Sequence, residues 1–278
     1  MPELPEVECL SRAISKVALG KSISEITFHR TTLREPIPTK SLEDILINET
    51  IEQITRRSKY MLVKTKKGWG IFHLGMSGNI LCYDDPQPQL PHTHVVMRVN
   101  DPASSCTTWL HYVDPRRFGL INACTHQELP NHRFFVHLGP EPLETRNLGG
   151  YLFDKSRQKS TNIKSFLMNS KIVVGVGNIY ANESLYYAGL NPMTAAGSIS
   201  LEQFRNLSKA IKSTLRKAIK AGGTSFRDFK NPDGNPGYFR ISLQVYGRKG
   251  ENCSKCSTPI EEIKISNRAT YFCPNCQF

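Results

Sequence analysis

Four cysteines near the end of the sequence, Cys253, Cys256, Cys273 and Cys276, are spaced C-x2-C-x16-C-x2-C. Two such pairs present four soft thiolates from two knuckles, the donor set of a closed, structural zinc site. Cys9, Cys82, Cys106 and Cys124 are scattered instead and read as small apolar residues. At the other end, "MPELPEVE" combines two prolines with three carboxylates. Read structurally it is a helix start, where proline and acidic residues are favoured. Read chemically, it is a masked nucleophile. A terminal α-amine titrates near ~8, against roughly 10.4 for lysine. Loss of Met1 would leave the secondary amine of Pro2 free to attack an electrophilic sugar carbon and form an iminium, with Glu3 beside it as acid or base.

Three further stretches carry unusual side chains on turns. "VVGVGNIYANESL" places Gly175 and Gly177 before a helix that starts at Asn178. Free N–H groups and a positive dipole end there would suit a phosphate, although a tight turn without a ligand has the same pattern. "HLGMSG" and "DPRRFG" set Met76, Arg116 and Phe118 on glycine-flanked turns. Methionine and phenylalanine are ordinarily core residues; exposed towards DNA they would act as apolar wedges in a base stack. Arg268, between the cysteine pairs, would be presented by a zinc-held hairpin to phosphates, or would simply be a surface arginine.

These residues need elements to hold them. The chain has 278 residues and a net charge of +12, enough for two domains with real cores. The charge is uneven: residues 1–150 hold 17 Lys+Arg against 16 Asp+Glu, and residues 151–278 hold 19 against 8. A polyanionic partner for the second half follows, nucleic acid before an anionic membrane. No apolar run is long enough for a membrane span and the start lacks a secretory pattern, so a cytoplasmic protein is expected.

After a helical pattern at Val7, Leu10, Ile14 and Val17, the first half reads as short strands, "SISEITF", "YMLVKT", "GIFHLG", "HVVMRV" and "TTWLHYV", separated by turn residues. That pattern predicts a sandwich or barrel. Residues 136–150 are rich in glycine and proline and read as a linker. Beyond them, Leu201, Phe204, Leu207, Ile211, Leu215 and Ile219 form one stripe of a helix, with Ser200 and Gln203 as its capping box.

Taken together and in order, "MPELPEVE", "RRSKYMLV", "HLGMSG", "DPRRFG", "HLGPEPL", "VVGVGNIYANESL", "GGTSFRDF", "DGNPGYF", "LQVYGRKGENC" and "RATYFCPNCQ" closely resemble the formamidopyrimidine-DNA glycosylase family. The resemblance covers essentially the whole chain. It implies an α+β, two-domain fold: an N-terminal β-sandwich catalytic domain (1–135), the linker (136–150), a helix–two-turn–helix domain (151–240) and a zinc-finger hairpin (241–278). It implies a bifunctional glycosylase and AP lyase that removes oxidised purines from damaged duplex DNA, acting as a monomer with one structural Zn2+ and no organic cofactor. By the same resemblance Pro2 is the nucleophile, Glu3 the acid, Glu6 its support, and Lys59 a phosphate contact at the lesion. Met76, Arg116 and Phe118 fill the space of the flipped nucleotide, while His92, His94, Arg116, Lys155, Asn178, Tyr238 and Arg268 contact DNA. The segment 222–239 resembles the family's loop over the extruded base.

The chain departs from the family pattern at Cys9, often threonine, at Asn169, commonly aspartate, in "KCST", which lacks the usual glycine after the second cysteine, and in the lengthened connection 100–108. A rival within the family is the endonuclease VIII branch, which favours oxidised pyrimidines; "PELPE" and Lys155 lean towards the purine branch. A rival of another class is a zinc-hairpin DNA-binding protein without activity, against which the intact Pro2–Glu3 pair argues.

Overall fold

The computed structural model describes residues 2–104, 106–222 and 243–278. The chain divides into two compact units, the described residues up to Val136 and a second unit of His137–Ala221 with the described residues from 243 onward.

In the first unit, α1 (Leu4–Ala18) buries Val7, Leu10, Ile14 and Ala18, the stripe that helical spacing demands. Two four-stranded antiparallel sheets follow. One has the order β1 (Ser22–Phe28), β6 (Thr93–Asn100), β7 (Thr107–Val113), β5 (Asn79–Tyr83). The other has the order β2 (Gln53–Arg57), β3 (Tyr60–Lys64), β4 (Trp69–His73), β8 (Leu120–Cys124). Inward residues of both sheets, among them Ile23, Val95, Met97, Leu110 and Tyr112 from the first and Met61, Val63, Phe72 and Ile121 from the second, share one core with α1. The expected β-sandwich is therefore observed. A short helix, α2 (Thr39–Leu46), also enters this core through Leu42 and Leu46.

The second unit is helical: α3 (Leu148–Ser156), α4 (Ile163–Met168), α5 (Asn178–Ala188) and α6 (Leu201–Lys220). The stretch expected as a linker is tied into it. Gly139 N–H donates to Ser170 O at 2.8 Å, Val174 N–H to Pro140 O at 3.2 Å, and α3 already begins at Leu148. The predicted capping box of α6 forms, Ser200 Oγ accepting from Gln203 N–H at 3.2 Å and Gln203 Oε1 from Ser200 N–H at 2.9 Å. A β-hairpin, β9 (Glu261–Ile265) and β10 (Arg268–Phe272), closes the unit. Its turn residues Ser266 and Asn267 have φ of 48° and 59°, the left-handed pair that a two-residue hairpin turn requires.

The α6 cap is exposed and touches nothing catalytic, so Ser200→Ala should lower stability by about 1 kcal/mol. Urea unfolding of the two proteins checks this, with an unchanged midpoint as the contrary result.

Candidate active site and zinc centre

The start of α1 is built around two buried carboxylates. Glu3 is the N-cap residue and Glu6 the third helical residue, and their side chains form a reciprocal capping box. Glu6 Oε2 accepts from Glu3 N–H at 2.8 Å. Glu3 is only 2% exposed and Glu6 3%. Helix N-terminal N–H groups make such burial tolerable. Pro2, half-buried, immediately precedes this clamp.

Lys59 stands on the two-residue connection between β2 and β3, next to Ser58 in the left-handed region with φ 56°. Arg56 ties that turn to α1: its NH1 donates to Ser58 O at 2.8 Å and its Nε pairs with Glu8 Oε2 at 3.0 Å. The helix that begins just after Pro2 and Glu3 and the turn bearing Lys59 are thus joined by one nearly buried guanidinium. Cys9 lies on the same helix. Burial, reinforced by the Glu6 carboxylate, pushes its thiol up to about 11, leaving it a protonated packing group at neutral pH.

The two glycine-flanked turns meet. Met76 and Phe118 are exposed large hydrophobics, and the Arg116 guanidinium lies 5.0 Å from the Phe118 ring centroid. Gly75 has φ +61°, and a Cβ there would come within 2.4 Å of the Phe118 carbonyl carbon, so the two backbones touch. Between them is Asp114, fully buried. Its Oδ1 accepts from Ser77 Oγ–H at 2.8 Å and Arg116 N–H at 3.2 Å, and its Oδ2 accepts from Gly119 N–H at 2.7 Å. His73 anchors the other turn, its Nδ1 accepting from Gly75 N–H at 3.0 Å. Desolvation, then the Lys59 and Arg34 charges, hold His73 down at about 4.

The predicted DNA contacts fare differently. His92 is exposed, with φ 65°, and its carbonyl accepts from Asp114 N–H at 3.0 Å. His94 is buried, and its Nε2 donates to Asp114 O at 2.8 Å, so it orders the turn. Lys155 is exposed on α3. Arg268 is exposed at the first position of β10. Asn178 opens α5, but its Nδ2 donates to Ala269 O at 3.1 Å, tying the helix start to the hairpin beside Arg268. The buried Lys164 donates to the same carbonyl at 3.0 Å. Asn169 ends α4 and accepts from Lys171 N–H at 3.0 Å through its Oδ1, which an aspartate would also do. Tyr238 and all of 222–239 except Gly222 lie outside the described residues.

The four spaced cysteines converge, their sulfurs all within 4.8 Å of one another. The Cys253–Cys276 and Cys256–Cys273 separations are 3.9 and 3.4 Å. A tetrahedron with Zn–S of about 2.3 Å has edges of roughly 3.8 Å, so the set fits one structural zinc ion. Tyr186 of α5 reaches Cys253 Sγ at 3.3 Å and supports the ligand from outside. One turn earlier on α5, Glu183 accepts N–H bonds from Gln244, Val245 and Tyr246 at 2.9, 3.0 and 3.0 Å, fastening the chain that leads into the finger.

Glu8, Arg56, His73, Ser77, Asp114, Lys164 and Glu183 are the residues that sequence reasoning missed. "DPRRFG" and "HLGMSG" contain Asp114 and Ser77, and a small polar residue beside each turn was the only signal.

Comparison with known proteins is consistent along the chain. The family model of the formamidopyrimidine-DNA glycosylase N-terminal domain matches residues 1–121, that of its H2TH domain residues 138–230, and that of a zinc finger found in FPG and IleRS residues 250–277. The formamidopyrimidine-DNA glycosylase of Saccharophagus degradans is 44% identical over 277 residues, covering 100% of both chains. The structure of a Lactococcus lactis FPG variant with Fapy-dG-containing DNA superposes with a TM-score of 0.89 at 32% identity, covering 99% of each chain. The same organism's Fpg with abasic-site DNA gives 0.88, again at 32% identity and 99% of each chain.

Two outcomes follow. His73 takes up its proton near pH 6.5 in the unfolded chain but only near 4 in the folded one. Stability is therefore whole above about pH 6.5 and falls as pH drops towards 4, by about 2 kcal/mol after allowance for partial exposure. His73→Asn, which keeps an acceptor for Gly75 N–H, should lose less between pH 7 and 4.5 in urea unfolding; an equal loss in both proteins contradicts the assignment. Chelation should remove one zinc per chain and speed hydrogen exchange of the β9–β10 amides; unchanged exchange would show that the hairpin stands without metal.

Proposed function

The chain belongs to the formamidopyrimidine-DNA glycosylase family and is a DNA glycosylase of base-excision repair, and on that premise we propose that it excises oxidised purines, 8-oxoguanine and formamidopyrimidines, through the Pro2 amine. The observation that carries this reading is the Glu3–Glu6 capping box, which sets an acid beside Pro2 at the buried start of α1. With Met1 removed, the Pro2 nitrogen lone pair forms a bond to C1′ of the damaged nucleotide. The glycosidic C1′–N bond breaks, its electron pair leaves with the base, and the proton that the alkylated Pro2 nitrogen must lose neutralises the departing base. Glu3 donates a proton to the sugar ring oxygen as the ring opens, yielding the iminium. The iminium withdraws electrons from C2′, so a proton is lost there and the 3′ phosphate leaves. A second elimination expels the 5′ phosphate, and the two eliminations together are the AP lyase activity.

The other residues bind and orient. Lys59 holds phosphates at the lesion, while Met76, Arg116 and Phe118 fill the gap left by the extruded nucleotide. Lys155 and Arg268 grip phosphates, and Asn178 positions the Arg268 hairpin. The work is divided between a catalytic domain (1–135), a helix–two-turn–helix domain (151–240) and a zinc finger (241–278), and the enzyme acts as a monomer on damaged duplex DNA in the cytoplasm. The excess of basic residues after residue 150 supports a polyanionic partner.

Borohydride reduction tests the amine chemistry. Protein beginning at Pro2 should be trapped covalently on a duplex containing 8-oxoguanine, and protein that retains Met1 should not. Glu3→Gln should slow excision roughly 10²- to 10⁴-fold while binding persists. No adduct from the Pro2-terminal protein, or an equal adduct from the Met1 form, would overturn the proposal.

A further inference from the structure

Asp114 is fully buried and bonded throughout, and neither the amine chemistry nor phosphate binding uses it. Every polar atom it has is occupied. Its N–H donates to His92 O at 3.0 Å, and its carbonyl accepts from Arg117 N–H at 3.2 Å and from His94 Nε2–H at 2.8 Å. Its carboxylate accepts from Ser77, Arg116 and Gly119. The donors come from two separate turns, and the Ser77 hydroxyl joins them twice, since its oxygen also accepts from Arg116 N–H at 3.3 Å.

The surroundings leave this arrangement no slack. A Cβ on Gly119 would fall 1.7 Å from the Tyr112 hydroxyl, and that hydroxyl donates to His73 O at 2.9 Å. Arg117 is held in the left-handed region with φ 57°. The exposed parts of the turns are Met76 on one and Pro115, Arg116, Arg117 and Phe118 on the other. A side chain that must enter a base stack works against the unstacking cost only if it does not yield itself. Rigidity beneath the wedge therefore converts directly into extrusion of the nucleotide.

We infer that Asp114, acting through Ser77, is a positioning residue that locks the Met76 turn and the Arg116–Phe118 turn into one wedge and so sets the efficiency of nucleotide extrusion. This rests on the gap-filling reading of Met76, Arg116 and Phe118. It extends that reading from the residues that enter the stack to the buried carboxylate that stiffens them.

The test compares excision from a fully paired 8-oxoguanine duplex with excision from one carrying the lesion opposite a single-nucleotide gap, where no orphaned base remains to be held. 2-Aminopurine beside the lesion reports the opening of the stack. Ser77→Ala should lower kcat/KM on the paired duplex about tenfold and slow the fluorescence rise. It should change the gapped substrate less than about twofold, and Ser77→Thr, which keeps the hydroxyl, should restore the paired rate. Asp114→Asn should act in the same direction and more strongly; should it fail to fold, the Ser77 pair still decides. Equal losses on both substrates, or no loss, would reduce Asp114 to a structural residue and overturn the inference. Phe118→Ala separates the two layers. A selective loss in Phe118→Ala with none in Ser77→Ala overturns the inference alone. Silence in both withdraws the gap-filling reading with it.

Discussion

A carboxylate can be buried only where donors converge on it, and this constraint organises the molecule. Glu3 and Glu6 satisfy each other's backbone at the start of α1. Asp114 gathers two N–H groups and a hydroxyl under the wedge. Glu183 collects three consecutive N–H groups on the way into the zinc finger. Each carboxylate fixes a segment that would otherwise be a free terminus or a loop, and the proposed working residues stand on those segments. Order is thus concentrated where an exposed side chain must hold its place without a core around it.

The second unit reaches the same end with cations and metal. The Ala269 carbonyl receives both Lys164 Nζ and Asn178 Nδ2, so the hairpin that carries Arg268 is bolted to two helices. Zinc ligation by the four cysteines holds the base of that hairpin, and Tyr186 links a ligand sulfur to α5. A five-residue two-stranded hairpin has little stability alone, which is why metal and helix contacts are both needed. Asn178, expected at a phosphate, serves this internal joint in the structure.

Much of the architecture was legible in the sequence, for local reasons. The strands "SISEITF" and "TTWLHYV" appear as β1 and β7 with the same bounds, because alternation of apolar residues defines a half-buried strand. The α6 cap was readable because its partners are three residues apart. Helix α2 was not, since eight residues with three buried positions leave too short a periodic signal. The bond from His94 to the Asp114 carbonyl was not legible, because a histidine looks the same in sequence whether it faces a phosphate or a buried carbonyl.

By itself the sequence determined the zinc ligands, helices α1 and α6 and the alternation that makes a sandwich, because spacing within one segment specifies each of them, and it determined the family through motifs that recur in one order along the chain. Tertiary structure alone decided that Ser77 meets Asp114 across 37 residues and Arg56 meets Glu8 across 48. Those pairs carry no local pattern, since a polar residue's partner is chosen by which backbones the packed core brings together. Pro2 and Glu3 could be singled out once the eight-letter start was read beside the other motifs; what holds the turns of Lys59 and Phe118 exists only once the chain has folded.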